Sequence, residues 1–241
     1  MWPFKSVDKL ARSGMLQGFT DWHSHILPGV DDGIRTMDES LSTLASFEEQ
    51  GVRKVWLTPH VMEDCPNTTG RLRERFAELR EQYKGPIELA LASENMLDAL
   101  FEERLRDRDF LPIGDKGEHL LVETSYVNPP YGMDDMIESI FSIGMTPVLA
   151  HPERYRYMSE ADYRKWKGRG VMFQCNFISL VGGYGETARK KLEWMLKEGM
   201  VNLTGSDVHR KFVFDHTIQK SPKSSSSLKN LVDLAHNPAI V

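Results

Sequence analysis

The chain has 241 residues, a length that suits a single α/β barrel. Its formal net charge of -5 argues against a nucleic-acid binder that acts through bulk electrostatics, and its two cysteines exclude a disulfide framework. No segment approaches the ~20 apolar residues of a membrane span, and the N-terminus lacks the apolar run of a signal peptide. We therefore expect a cytoplasmic protein without membrane insertion.

Short apolar runs alternate with helical patterns along the chain. The runs predicted as strands are 19–23, 54–58, 87–93, 119–122, 146–150, 171–176 and 201–206. The predicted helices include one closed by Gly51 and capped by Thr36 or Asp38, and others at 72–83, 96–105, 133–143, 159–167 and 187–197. Such alternation predicts a parallel sheet.

At this length an irregular barrel of about seven βα units is more economical than two domains. We expect one domain over residues 1–241. Residues 1–16 would form a surface arm or a short helix. Residues 211–241 would form a C-terminal extension that ends in a helix over 228–234, capped by a serine.

The first predicted strand ends in two histidines. His23 and His25 are two residues apart, so both imidazoles can point to one face of a strand. Neutral imidazole is the commonest protein metal ligand. Asp31 and Asp32 follow in the next loop, and spacing alone does not choose between these two carboxylates. The pattern indicates part of a metal site, which other strands must complete.

Further polar side chains stand at the ends of the other predicted strands. They are His60, Glu94, Glu123, His151, Asp207 and His209. In a parallel barrel these ends open on one face, where barrel enzymes hold their active sites. Each residue alone has an ordinary explanation, since a histidine is usually a surface or core residue and Glu94 or Asp207 could cap the next helix. Together they favour one site.

Histidine and carboxylate ligands without thiolates suit zinc, manganese or iron. The candidates outnumber the ligands of one ion, so two or three ions are indicated. Clustered ions activate water and bind phosphoryl oxygens, which is the chemistry of phosphoester hydrolysis. Arg154 could pair bidentately with a phosphate, although a surface ion pair is an ordinary alternative.

Six motifs resemble known families. H-S-H at 23–25, V-D-D-G at 30–33, T-P-H at 58–60 and S-E-N at 93–95 resemble the PHP superfamily, named for polymerase and histidinol phosphatase. H-P-E-R-Y at 151–155 and G-S-D-V-H-R at 205–210 resemble one branch of it. That branch comprises the metal-dependent bacterial protein tyrosine phosphatases of capsule and exopolysaccharide systems. The resemblance covers about residues 18–210.

The resemblance implies a distorted, parallel (β/α)7 barrel of the PHP type, similar to a TIM barrel, with three metals. Manganese is the first choice, and iron or zinc are the alternatives. The implied ligand sets are His23, His25, Glu94 and Asp207; Glu94, Glu123 and His151; and Asp32, His60 and His209. The resemblance thus selects Asp32 over Asp31, and it matches Arg154 to a phosphate-binding arginine.

The implied substrate is phosphotyrosine on the C-terminal tail of a membrane-associated tyrosine kinase that drives polysaccharide assembly. A homo-oligomer is left open. The loop after T-P-H departs from some family members, because it reads V-M-E-D-C-P-N-T-T-G-R rather than a basic, glycine-containing sequence. This departure leaves the preference among protein substrates open.

Three alternatives remain. One is a small-molecule phosphoesterase, such as a histidinol-phosphate phosphatase, and another is a non-catalytic regulatory partner of a kinase. The third rests on Cys65 and Arg71, which have the C-x5-R spacing of cysteine-dependent tyrosine phosphatases, where a thiolate attacks phosphorus. Asp64 argues against the third, because a carboxylate beside the thiol would raise its pKa.

Overall fold

Parallel strands form the centre of the protein. The computed structural model describes residues 7–240. Its strands are β1 (Thr20–Ser24), β2 (Lys54–Leu57), β3 (His60–Val61), β4 (Glu88–Leu91), β5 (Glu94–Met96), β6 (His119–Glu123), β7 (Thr146–Ala150), β8 (Met172–Asn176) and β9 (Leu203–Gly205).

Helices follow most of these strands. They are α1 (Met37–Glu49), α2 (Thr69–Gln82), α3 (Ala99–Asp107), α4 (Met133–Ser142), α5 (Glu160–Gly168), α6 (Phe177–Leu180), α7 (Gly185–Lys197), α8 (Lys211–Thr217) and α9 (Ser225–His236). Short 3-10 turns lie at Leu10–Arg12 and Pro152–Arg154. Within residues 7–240, no helix has the length and hydropathy that crossing a membrane requires.

The strands keep their chain order around a curved sheet, and every pair between them is parallel. β1, β2 and β4 form one sheet, and β3, β5, β6, β7, β8 and β9 form the other in that order. β3 continues the path of β2, and β5 continues the path of β4. If each such pair is counted as one strand tract, the nine strands form seven tracts. This arrangement confirms the predicted parallel α/β barrel type. The curve closes where Ser24 bridges Val208 and the Asp207 amide donates to the His23 carbonyl at 2.8 Å.

Two strand tracts contain a break, one between β2 and β3 and the other between β4 and β5. The breaks change the positions of two candidate ligands within their strands. The sequence predicts both residues at or just past the carboxyl end of a strand, whereas Glu94 begins β5 and His60 begins β3. Pro59 has no amide for the ladder, and its carbonyl accepts from the Glu94 amide at 3.1 Å. After the break β3 pairs with β5, with His60 directly opposite Glu94, and β5 gains β6 as a second neighbour. Met96, predicted in a helix, belongs to β5 for the same reason.

Alternate strand residues face two different apolar clusters. Leu120 belongs to the large cluster, which also contains helical residues such as Phe47. Its neighbour Leu121 belongs to a smaller cluster, where the rings of Trp22 and Trp56 stack with centroids 6.0 Å apart. No helical residue of the described chain joins this smaller cluster, so it fills the inside of the curve.

Both ends of the described chain pack onto the core. Residues 1–6 of the predicted arm lie outside the described residues. The 3-10 turn matches the short-helix alternative, but Leu10, Met15 and Leu16 are buried, so a surface arm is wrong for residues 10–16. Apolar contact with the core holds this segment. The serine-capped terminal helix is α9, whose cap Ser224 accepts a hydrogen bond from the Ser227 amide.

Gly205 permits the close approach of β9 to β1. A Cβ at this position would lie 2.7 Å from the His23 nitrogen and 2.6 Å from its Cβ, and neither atom can move without shifting a buried strand. We expect Gly205→Ala to lower the free energy of unfolding by about 1–3 kcal/mol, measured by urea unfolding in chelator.

Gly168→Ala is the matched control, because a Cβ at the end of α5 would meet nothing within 4 Å. It should leave stability unchanged or slightly raised, since alanine favours helix over glycine. Equal stability of Gly205→Ala and the wild type would contradict the close approach.

Candidate metal centre

All nine candidate ligands converge at the carboxyl-terminal side of the sheet. Their nitrogen and oxygen atoms form four groups, and within each group these atoms lie within 4.8 Å of one another. The groups are His25, Asp32, His60 and His209; His23, His25 and Asp207; His23, Glu94 and His151; and His60, Glu94 and Glu123. The structure therefore brings together side chains from six of the seven tracts, β8 excepted.

Four atoms surround one point at the centre of this cluster. The Nε2 atoms of His23 and His25 are 3.1 Å apart, and Glu94 Oε2 lies 3.1 Å and 3.2 Å from them. Asp207 Oδ1 lies 3.5 Å and 3.4 Å from the same two nitrogens. Two imidazoles and two carboxylates thus meet in a fully buried space.

Hydrogen bonds to the Nδ1 atoms of His23 and His25, on the side of each ring that faces away from this point, determine the tautomers of both imidazoles. His23 Nδ1 lies 2.7 Å from Gln174 Oε1, and the Gln174 amide donates to Asn176 Oδ1 at 2.9 Å, which keeps its oxygen towards His23. His25 Nδ1 lies 2.8 Å from Asp31 Oδ2. An acceptor beside Nδ1 holds the ring proton there, so both Nε2 atoms present lone pairs to the central point. Lone pairs that converge with carboxylate oxygens on one point form a donor set that suits a cation.

Several other buried atoms are close together without hydrogen bonds. His60 Nδ1 is 3.0 Å from Glu94 Oε2 and 2.9 Å from Glu123 Oε1, yet none of these three atoms has a hydrogen-bond partner. An unpaired buried polar group costs about 1–3 kcal/mol. Nitrogen and carboxylate oxygen without thiolate form the donor set that manganese, iron and zinc accept. The residues present therefore fit divalent ions.

The two central carboxylates are held in the ionised form. Burial raises the pKa of Glu94 and Asp207, but the positive charge of the neighbouring histidines in their protonated form, His23 first among them, outweighs it and holds both pKa values well below their usual range. Neither residue caps a helix, because the caps of α3 and α8 are Asp98 and Arg210. The helix-capping explanation for these two carboxylates is therefore wrong.

Backbone strain also marks this centre. His151 and Asp207 have φ of 32° and 52°, in the left-handed region that non-glycine residues rarely adopt. Among the described non-glycine residues only Arg108, at the end of α3, shares this feature. Each strained residue costs about 1–3 kcal/mol and persists where the surroundings determine it. Both candidate ligands are thus held in place by the fold at some cost in stability.

β8 contributes no candidate ligand but supports two of them, which the sequence did not reveal. Gln174 contacts His23, and Asn176 Nδ2 donates to Asp207 Oδ2 at 2.7 Å. Since the two amides also bond to each other, they link the two ligands directly. The available signal was the i, i+2 spacing of two amides at the end of an apolar strand, which places both on one face.

Asp31 supports the cluster from behind. Besides His25, its Oδ2 accepts from the His60 amide at 3.0 Å, and its Oδ1 accepts from the Gly33 amide at 2.9 Å. Asp32 instead lies near two imidazoles, 3.5 Å from His60 Nε2 and 3.3 Å from His209 Nε2. Of the two neighbouring carboxylates, Asp32 belongs to a group of candidate ligands, whereas Asp31 orients the candidate ligand His25.

Arg154 lies in a cavity of about 440 Å³ that opens beside these ligands. Its guanidinium is stacked between Tyr126 and Tyr184, with its Cζ 4.1 Å and 4.0 Å from their ring centroids. Its Nη1 donates to Asp207 Oδ2 at 3.0 Å, and the Tyr184 hydroxyl donates to the same oxygen at 2.7 Å. Arg154 is therefore not in a surface ion pair. No local pattern indicates the two tyrosines, because they are distant from Arg154 in the chain.

Cys65 lacks the surroundings of a nucleophilic thiolate. Burial and the nearby carboxylates of Asp31 and Asp32 raise the pKa of its thiol, and its Sγ donates to the Val30 carbonyl at 3.3 Å. A reactive cysteine needs the opposite, a lowered pKa. These contacts argue against the cysteine mechanism.

The chain is similar to known proteins of one family. Residues 19–227 match the family model described as capsular polysaccharide synthesis, CpsB/CapC. The chain is 30% identical over 202 residues to the tyrosine-protein phosphatase CpsB of Streptococcus pneumoniae, covering 78% of this chain and 82% of that protein. It is 25% identical over 195 residues to the tyrosine-protein phosphatase YwqE of Bacillus subtilis strain 168, and this match covers 78% of this chain and 76% of YwqE.

A solved structure shares the fold. It comes from a study of YwqE from Bacillus subtilis and CpsB from Streptococcus pneumoniae, described there as unique metal-dependent tyrosine phosphatases. The match has a TM-score of 0.74 at 22% sequence identity and covers 92% of this chain and 96% of the other. At this identity the match shows the architecture.

Asp31→Asn should weaken metal binding without unfolding the protein. The amide keeps the shape of the side chain but can donate to His25 Nδ1 and favour the wrong tautomer. We expect metal affinity to fall about 10- to 100-fold, as for other groups that orient a ligating histidine, measured by calorimetric titration with Mn²⁺.

Asp64→Asn is the control, because it removes the same charge from an exposed position in the neighbouring loop. Its affinity should match the wild type. Equal weakening in both variants would show a general charge effect and would contradict an orienting role for Asp31.

Proposed function

The chain belongs to the CpsB/CapC family, and we propose that it is a metal-dependent phosphatase that hydrolyses phosphotyrosine in a protein. The observation that carries this proposal is the convergence of buried imidazoles and carboxylates beside the stacked Arg154. The names of the curated relatives support phosphotyrosine as the substrate. The proposed physiological substrate is the tail of a membrane-associated tyrosine kinase, dephosphorylated in the cytoplasm to regulate capsule or exopolysaccharide synthesis.

We propose that the nine candidates hold two or three ions, manganese first, with iron or zinc as alternatives. Glu94 would bridge, because it lies close to His23, His60 and His151. The interatomic distances add His25 to the group of Asp32, His60 and His209. They also place His60 rather than His151 with Glu94 and Glu123, and group His151 with His23 and Glu94. Shared ligands of this kind suit ions that lie close together.

The chemistry divides between the ions and the protein. When bound, the ions would supply an activated water and positive charge for the phosphoryl oxygens. Arg154 would bind the phosphate through its guanidinium and stabilise the charge that develops on it. The two tyrosines and Asp207 already fix its orientation, so little freedom is lost on binding. No cysteinyl-phosphate forms in this mechanism.

The rim of the site favours a protein substrate over a small phosphate ester. The exposed large hydrophobic residues of the described chain are Tyr126, Val127, Tyr131 and Phe212. Of these, Tyr126 lines the cavity of Arg154, and Val127 lines a neighbouring cavity together with Asp32, His60 and Glu123. Exposed apolar residues gathered around a site indicate contact with another chain. A small polar phosphate would gain nothing from them.

The central test of this function is hydrolysis of a phosphotyrosine peptide with and without chelator. We expect chelation to abolish phosphate release, Mn²⁺ to restore it, and Cys65→Ser to remain close to wild type. Chelator-resistant activity that disappears in Cys65→Ser would instead assign the reaction to the thiol. Faster turnover of histidinol phosphate would favour the small-molecule alternative, and no turnover would favour a regulatory role.

Arg154→Lys should lower kcat/KM for the peptide about 10²- to 10³-fold, because an ammonium cannot replace a stacked, bidentate guanidinium. The control is Arg164→Lys, another arginine that lies over an aromatic ring, at 5.6 Å from Trp194, and pairs with Glu198 outside the cavity. Its activity should be unchanged. Full activity in Arg154→Lys with unaltered thermal stability would disprove the phosphate-binding role.

A further inference from the structure

A second cavity adjoins the one that holds Arg154. It has a volume of about 520 Å³ and shares Tyr126, Arg154 and Tyr184 with the first. Beyond them it is lined by residues 153 and 155–156, and by residues 185–188 and 191 of α7. The stack of Arg154 between two tyrosines is therefore the partition between the two cavities.

Two cations in this second cavity have no carboxylate partner among the described residues. The exposed side chain of Arg156 forms no ion pair or hydrogen bond there, although its amide donates to the Tyr126 carbonyl at 2.8 Å. Lys191 Nζ donates to the carbonyl oxygens of Tyr155 and Met158. Both charges are thus available to an anion.

Arg156 and Lys191 outnumber the carboxylates of the same cavity that lack an ion pair, because within residues 7–240 only Glu153 is of this kind. Glu153 is buried: its Oε1 accepts hydrogen bonds from the Asn176 amide at 2.9 Å and from Ser179 Oγ at 2.7 Å, and its Oε2 has no hydrogen-bond partner in the described part of the chain. Glu186 forms ion pairs with Arg189 and Lys223. The cavity therefore presents unpaired positive charge beside the proposed phosphate site.

We propose that this cavity is a subsite for an anionic side chain of the phosphoprotein, close in sequence to the phosphotyrosine. The proposal rests on the proposed function. A carboxylate or a second phosphate would form charge-assisted hydrogen bonds with Arg156 and an ion pair with Lys191. Successive residues of an extended peptide are ~3.3 Å apart, so a near neighbour of the phosphotyrosine can reach across the partition. The subsite selects among phosphotyrosine sequences without taking part in the reaction.

The test is a set of phosphotyrosine peptides that carry glutamate, phosphoserine, alanine or lysine at successive flanking positions. For the wild type we expect kcat/KM to rise about three- to tenfold from alanine to an anionic residue at one or two positions. Comparison of glutamate with phosphoserine distinguishes the two anions. Arg156→Ala should abolish the preference, and Arg156→Glu should reverse it towards lysine. Each value of kcat/KM for a peptide is normalised to the same variant's kcat/KM for p-nitrophenyl phosphate, which has no flanking residue.

Lys190→Ala is the matched control, because this exposed lysine is next to Lys191 but does not line the cavity. It should keep the preference of the wild type. A wild type that hydrolyses all phosphotyrosine peptides equally would overturn the subsite alone. A preference for anionic flanking residues that survives in both Arg156 variants would also overturn the subsite but not the proposed function. Turnover of p-nitrophenyl phosphate without turnover of any phosphotyrosine peptide would overturn the proposed function, and the subsite with it.

Discussion

The rest of the structure depends on one constraint, the burial of imidazole lone pairs and carboxylate oxygens around a common point. Without a cation, Glu94 Oε2 and Asp207 Oδ1 face the nitrogens of His23 and His25 in a space closed to water. Such groups repel one another unless a positive charge lies between them. The fold must therefore provide enough binding energy elsewhere to hold these side chains together before any ion arrives.

That energy comes from the closure of the sheet and from hydrogen bonds behind the ligands. Ser206 donates through its amide and its hydroxyl to the buried Asp21, at 2.7 Å and 2.5 Å, which joins the last strand to the first. Gln174, Asn176 and Asp31 then orient ligands that would otherwise rotate. Since bonds of this kind fix tautomers as well as positions, they determine which atoms a metal meets.

The sequence predicted the convergence of the candidate ligands better than the residues that support them, for a physical reason. His60, Glu123 and His151 follow or continue apolar strands, and parallel strands deliver their ends to one face whatever the details of packing. The roles of Gln174 and Tyr184 depend on contacts between distant segments, which no local pattern encodes. The breaks at Pro59 and before Glu94 were missed for a similar reason, since they arise from a change of neighbouring strand.

The segment from His151 to Arg156 would connect the proposed chemistry to the proposed selection of substrate. Its strained first residue is a candidate ligand, Arg154 lines both cavities, and Arg156 lines only the second. Between them the buried Glu153 bonds to the end of β8 and to α6, and so anchors the whole turn. Because one short, anchored segment carries all three residues, the spacing of their backbone positions is fixed. A substrate anion held by Arg156 would therefore place the neighbouring phosphotyrosine at a defined distance from Arg154 and the metal centre.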